Sequence, residues 1–111
     1  MANIPRLQVR FYKTSTGNEP VREWLLSLSD EEKKTIGEDI KTVQFGWPIG
    51  MPVCRKVDKD LWEVRSSLHN KIARVLFIVE GSTIVLIHGL IKKTQKMPQK
   101  DLEIAKRRLA D

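Results

Sequence analysis

Five residues in the second half of the chain are of types that could do chemistry: Arg65, Arg74, His88, Lys92 and Lys93. Arg65 closes the run Leu61-Trp62-Glu63-Val64-Arg65. Strand alternation there sends Trp62 and Val64 to one face and Leu61, Glu63 and Arg65 to the other. Arg74 interrupts the apolar stretch Ile72-Ala73-Arg74-Val75-Leu76-Phe77-Ile78, where a guanidinium is costly to bury alone. Two readings stay open for it: a functional-site residue, or a structural ion pair with Glu63 on the neighbouring strand. Glu63 itself reads better as an arginine partner than as a general base.

His88 stands near the end of an apolar strand. Imidazole exchanges protons near neutral pH, which makes it a candidate for proton transfer. Alternation also places it beside Ile84, Leu86 and Leu90, the position of a hydrogen-bonded core histidine. Lys92, Lys93 and Lys96 form the densest basic cluster, where a strand gives way to a loop and a helix. Lysines serve there as mobile point charges for a phosphate backbone or as a solvated turn. Lys56, Lys59, Lys71 and Lys100 are further candidates for contact with RNA or a ribosome. His69 reads as a solvated turn residue, and Trp24, Trp47 and Trp62 as packing residues rather than base-stacking platforms.

The charge distribution favours a polyanionic partner. Residues 1–52 hold seven Lys/Arg against seven Asp/Glu, and residues 53–111 hold thirteen against seven, so the formal +6 belongs to the second half. Clustered cations draw in phosphates at long range and release condensed counterions. Two histidines and one cysteine match no structural zinc spacing, so neither a metal nor another cofactor is expected. The lone Cys54 permits no intrachain disulfide. The longest apolar run, Val75 to Val79, is too short to cross a bilayer. Met1-Ala2-Asn3-Ile4-Pro5 lacks the apolar core of a secretion signal, and a cytoplasmic location is expected.

The elements that position these residues can be read from periodicity. Leu7, Val9 and Phe11 alternate with polar neighbours as a half-buried strand. Asn18 is expected to cap a helix that accepts Pro20 in its first turn and shows Val21, Trp24, Leu25 and Leu28 on one face. Ser29-Asp30-Glu31-Glu32 matches a capping box opening a second helix with Ile36, Ile40 and Val43 inward, ended by Gly46-Trp47-Pro48. Strands are expected at 53–57, 61–66, 72–79 and 83–91, joined by short turns at Asp58-Lys59-Asp60 and Glu80-Gly81-Ser82. A last helix starts near Pro98 with Leu102, Ala105 and Leu109 inward and Lys100, Lys106, Arg107 and Arg108 outward. The expectation is one α+β domain over residues 1–111. It has a small, twisted, mainly antiparallel sheet, an N-terminal helical hairpin covering it, and a C-terminal helix.

Three segments carry a resemblance: Leu61-Trp62-Glu63-Val64-Arg65, then Ile72-Ala73-Arg74-Val75-Leu76-Phe77, then His88-Gly89-Leu90-Ile91-Lys92-Lys93-Thr94-Gln95-Lys96-Met97-Pro98. In this order they resemble the phage-derived, Gp49-like branch of the RelE/HigB-like toxins of type II toxin–antitoxin systems. The last segment is the most specific, and the order of elements agrees over nearly the whole chain. The resemblance implies a microbial-ribonuclease-type fold and metal-independent cleavage of messenger RNA on translating ribosomes. It also implies an antitoxin, usually of the helix-turn-helix kind, bound to block the toxin. It places Arg65, Arg74, Lys92 and Lys93 around the scissile phosphate, with His88 as a candidate for proton transfer. Many relatives carry an aromatic hydroxyl near the C-terminus, where this tail, Arg107-Arg108-Leu109-Ala110-Asp111, has none and Tyr12 is the only tyrosine. Two alternatives share the scaffold: a ParE-like poison of DNA gyrase, and a basic module that binds RNA or protein without cutting.

Overall fold

The computed structural model describes residues 6–50, 53–93 and 96–110. The N-terminal segment Met1 to Pro5 and the Thr94-Gln95 pair of the basic loop lie outside the described residues. Strand β1 (Gln8–Phe11) leads into helices α1 (Pro20–Leu26) and α2 (Asp30–Gly46). Strands β2 (Cys54–Asp58), β3 (Leu61–Leu68), β4 (Lys71–Glu80) and β5 (Thr83–Lys92) come next, and helix α3 (Gln99–Leu109) is last. This is the element order expected from periodicity. The sheet runs β1-β5-β4-β3-β2, with β1 parallel to β5 and every other pair antiparallel. The class is α+β, with a five-stranded mixed sheet.

Local chemistry accounts for most boundaries. The Ser29 hydroxyl accepts from the Glu32 amide, and the Glu32 carboxylate accepts from the Ser29 amide, so the expected capping box starts α2. The expected Asn18 cap does not form. The Asn18 amide donates to the Thr14 hydroxyl inside its own turn, and the N-cap position of α1 falls to Glu19. The β3–β4 hairpin turns on His69-Asn70, and the β4–β5 hairpin on Gly81. Asn70 and Gly81 both take the left-handed conformation (φ 59° each) that two-residue hairpins demand.

The two faces of the sheet differ. Val64, Ala73, Val75, Phe77, Ile84 and Leu86 pack against Val21, Ile36, Ile40 and Val43 of the helical hairpin. On the opposite face Leu61, Leu76, Val85 and Ile87 pack with Ala105, Leu102 and Leu109 of α3. Trp47 sets its ring edge-on to Trp62 (4.9 Å) and Phe77 (5.8 Å), and thus closes the hairpin side as a packing residue. Trp24 lies flat on Gly89, where any Cβ would overlap its indole. The glycine of the His88-Gly89 pair is therefore a packing requirement of α1.

Strand β5 is irregular at the point where it approaches α3. Leu76 pairs with His88 while Phe77 pairs with Leu86, so Ile87 is an extra residue in β5. The bulge turns His88 away from Ile84 and Leu86 and toward α3. The placement expected from strict alternation is thereby corrected.

Candidate functional site

The α3 side of the sheet carries a cluster of charges beyond the end of its apolar patch. Register sets it up: Arg55 pairs with Glu63 across β2–β3, and Arg65 pairs with Arg74 across β3–β4. Leu90 and Lys92 of β5 lie opposite Arg74 and Ile72. Since alternate residues share a face, Arg55, Glu63, Arg65, Arg74 and Lys92 all project to the same side.

Glu63 is the hub. Its carboxylate lies 3.1 Å from Arg55 Nη2, 3.9 Å from Arg65 Nε and 3.4 Å from Arg74 Nε. Glu63 and Arg74 are fully buried, whereas Arg65 keeps 17% and Arg55 41% of its side chain exposed. Burial pushes the Arg74 guanidinium below its usual pKa. Glu63 opposes that shift, and Arg65 and Arg55 add to it as like charges. Arg74 is thus the partner of Glu63 that the sequence allowed for: its guanidinium is enclosed and pairs with that carboxylate. Arg65 and Arg55 are the accessible members of the group.

Arg55 escapes sequence reasoning, because only the β2–β3 register brings it onto Glu63. Lys92 lies further along the same face, at the exposed end of β5, and Lys93 comes just past the strand, also exposed. Lys92, Lys96, Met97, Pro98 and Gln99 line an open cleft of about 500 Å³. Lys100 is exposed on the first turn of α3, so these lysines gather at one end of the sheet.

Other expected contacts fall elsewhere. Lys56 lies on the hairpin side, over the Trp62 ring (5.8 Å), because it is one residue out of phase with Arg55. Lys71 is bound to Glu32 of α2 at 2.8 Å, also on the hairpin side, and this bond is the main cause holding the Glu32 carboxyl below its usual range. Lys59 sits in the turn at the far end of β3, away from Lys92. These three do not share the surface of Arg65 and Lys92. His69 is exposed in its turn, as expected.

His88 faces α3, where Asp101 Oδ1 lies 2.7 Å from its Nε2 and Arg108 Nη1 lies 3.3 Å from its Nδ1. Arginine only donates, so Nδ1 accepts and the ring proton resides on Nε2, pointing at Asp101. Both ring nitrogens are engaged, and 13% of the side chain is exposed. This is a tether between β5 and α3. Arg108 also donates to the Ile87 carbonyl (2.8 Å) and sits over the Tyr12 ring (5.9 Å), so it belongs to the inner side of α3 and not to the outer face expected for it. Lys106 reaches Asp58 at 2.8 Å, and Arg107 is exposed.

Among the described residues no group of three or more His, Cys, Asp or Glu side chains is placed to hold a metal. No helix among them is long and apolar enough to cross a membrane. Compared with known families, residues 23–110 match the family described as "Phage derived protein Gp49-like (DUF891)". No curated protein matches the chain.

Proposed function

The chain belongs to the phage-derived Gp49-like family, a toxin–antitoxin-related family, and on that premise we propose that it is the toxin of such a pair and a metal-independent endoribonuclease. On this reading it has a RelE/HigB-type scaffold, cuts messenger RNA on translating ribosomes in the cytoplasm, and is held inactive by a helix-turn-helix antitoxin. The observation that carries the reading is the common face of Arg55, Arg65, Arg74 and Lys92, where one buried carboxylate is shared by three guanidiniums.

The chemistry comes from that charge. The ribose 2′-oxygen attacks the adjacent phosphorus, its proton passing to solvent. The bond from phosphorus to the 5′-oxygen then breaks, and that oxygen takes up a proton, leaving a 2′,3′-cyclic phosphate and a 5′-hydroxyl. Negative charge on the phosphoryl oxygens rises on the way to the phosphorane. Preorganised guanidiniums favour that state over the ground state. Arg65 touches the phosphoryl group, Arg74 adds its field from below, and Lys92, Lys93 and Lys96 hold neighbouring phosphates as point charges.

Inducing the chain without its antitoxin should stop growth and leave translated messages cut, with cyclic-phosphate ends. Arg65→Ala should lower cleavage about 10²–10³-fold, the cost of one lost donor at an oxyanion site. Intact messages and undisturbed growth would remove the reading. One observation favours a second reading, a module that binds RNA without cutting: both nitrogens of His88 are occupied by Asp101 and Arg108, which leaves proton transfer without a free imidazole. In that case replacing Arg65 and Lys92 flattens the salt dependence of RNA binding, and no cleavage product appears with any variant.

A further inference from the structure

We propose that the cavity where β1, β4 and β5 meet the C-terminal end of α3 is a binding site for a free organic acid, with Arg108 holding the carboxylate and an apolar floor taking the body of the ligand. The site is separate from Glu63 and its arginines, and the proposal does not rest on the nuclease reading.

The cavity has a volume of about 420 Å³, which is within the range of small-molecule sites. Ile78, Val85, Ile87 and Leu109 form its floor. Ile78 stands four residues beyond Arg74 along β4, roughly 13 Å at the rise of a strand. The cavity and the charged cluster therefore occupy opposite ends of one face.

Charge singles out Arg108 among the residues at the rim. Glu80 is answered by Arg10 at 2.9 Å, and Glu19 lies 3.7 Å from Arg22. Arg108 is half-buried, yet it pairs with no carboxylate among the described residues. Its hydrogen bonds go to two neutral acceptors, the Ile87 carbonyl (2.8 Å) and His88 Nδ1 (3.3 Å), and both leave from Nη1. The edge formed by Nε and Nη2 makes no hydrogen bond among the described residues. A guanidinium edge of this kind receives a carboxylate through two parallel bonds. Burial pushes the Arg108 guanidinium below its usual pKa, with Tyr12 opposing the shift and Arg107 adding to it. A bound anion would offset the desolvation that neutral acceptors leave uncompensated. The two Nη1 bonds also fix the guanidinium before any ligand arrives, which lowers the entropic cost of binding.

The floor decides the class of ligand. Its four aliphatic side chains offer no hydrogen bonds, so a sugar or a nucleotide would leave hydroxyl groups unpaired there. A hydrocarbon body gains from the same contact. An acid with an apolar body suits both halves of the cavity. Lys13, exposed at the mouth and in no ion pair among the described residues, adds charge that draws such an acid in.

The test is an NMR titration of the whole protein with acetate, hexanoate and hexanol at matched ionic strength. Hexanoate should move the amide signals of Tyr12, Val85, Ile87 and Leu109 and leave those of Arg65 and Arg74 in place. Affinity should rise from acetate to hexanoate by about fourfold for each methylene buried. Hexanol should bind about tenfold or more weakly than hexanoate, the cost of losing the charged hydrogen bonds, and Arg108→Gln should weaken hexanoate by a similar factor. Ile78→Glu, which leaves the Arg108 bonds in place and sets a like charge in the floor, should abolish hexanoate binding. Lys34→Ala, which removes one exposed charge from α2, should keep full affinity. Where Arg108→Gln does not fold, the Ile78→Glu comparison decides. A capped peptide bearing an acidic side chain should bind more weakly than hexanoate. Tighter binding of that peptide assigns the cavity to a protein carboxylate and overturns the free acid. The site is equally overturned by hexanol binding as tightly as hexanoate, by hexanoate shifts confined to Arg65 and Arg74, by wild-type affinity in Ile78→Glu, or by no shift with hexanoate at all.

Discussion

On the side of the sheet beneath α1 and α2, strands β3 and β4 contribute Val64, Ala73, Val75 and Phe77. On the side beneath α3, the same strands contribute Leu61, Glu63, Arg65, Arg74 and Leu76. Both surfaces are closed to water over much of their area, yet they are stabilised differently. The hairpin side is a continuous apolar core, in which each large side chain removed from water contributes about 1.5–3 kcal/mol. The α3 side begins as such a core near Leu61, Leu76, Val85 and Ile87 and ends in a charged cluster. There, desolvation of Glu63 and Arg74 offsets much of their mutual attraction. A sheet built only for stability would fill that position with aliphatic side chains.

This contrast can be tested from the largest effect downward. Phe77→Ala, in the middle of the apolar side, should cost about 3–5 kcal/mol of stability, measured as a shift in denaturant midpoint. A loss well below that range would mean that the hairpin can collapse into the gap. On the charged side, the paired change Glu63→Leu with Arg74→Met should leave stability near or above wild type, by as much as about 1–4 kcal/mol, because both desolvated charges go together. The same variant should lose about 10²-fold or more in RNA cleavage. If it unfolds, the charged cluster is structural and the contrast between the faces collapses.

Smaller effects sharpen the comparison. Gly89→Ala should cost about 1–3 kcal/mol through overlap with the Trp24 indole, since α1 must lift or the strand must shift. Relief by Trp24→Leu in the double variant would confirm the contact. Cys54 offers a pH test. Burial, and secondarily the nearby Glu63 charge, raise its thiol from the ordinary 9.0 to about 11. A raised folded pKa means that the unfolded chain ionises first. The contribution is therefore complete below pH 9 and is lost as the pH climbs toward 11, by about 1.4 kcal/mol per unit at most. Cys54→Ser should flatten that alkaline decline in a chemical-denaturation series.

Much of the architecture was legible because it rests on local signals. The Ser29–Glu32 capping box, the apolar spacing of Ile36, Ile40 and Val43, and the β-branched runs of β4 and β5 each declare their element within a short window. The candidate site was legible only in part. Arg65, Arg74 and Lys92 stood out as cations in apolar strands, and Glu63 as their partner. Arg55 did not, because its role depends on pairing with a residue eight positions away in a register that no local signal announces. His88 was misplaced for the same kind of reason: a single extra residue in β5 shifts its alternation by one, so that Leu86 and His88, two apart, no longer share a face.

What the chain determines by itself is therefore the order and type of its elements, the excess of positive charge in its second half, and the presence of arginines where burial is expensive, since these stem from periodicity and composition alone. Only the tertiary structure decides that three guanidiniums share one carboxylate, that Arg74 is sealed while Arg55 and, to a lesser degree, Arg65 keep some exposure, and that His88 is tied to α3. Those outcomes depend on strand register, on a bulge and on helix docking. Each is fixed by packing between segments far apart in sequence.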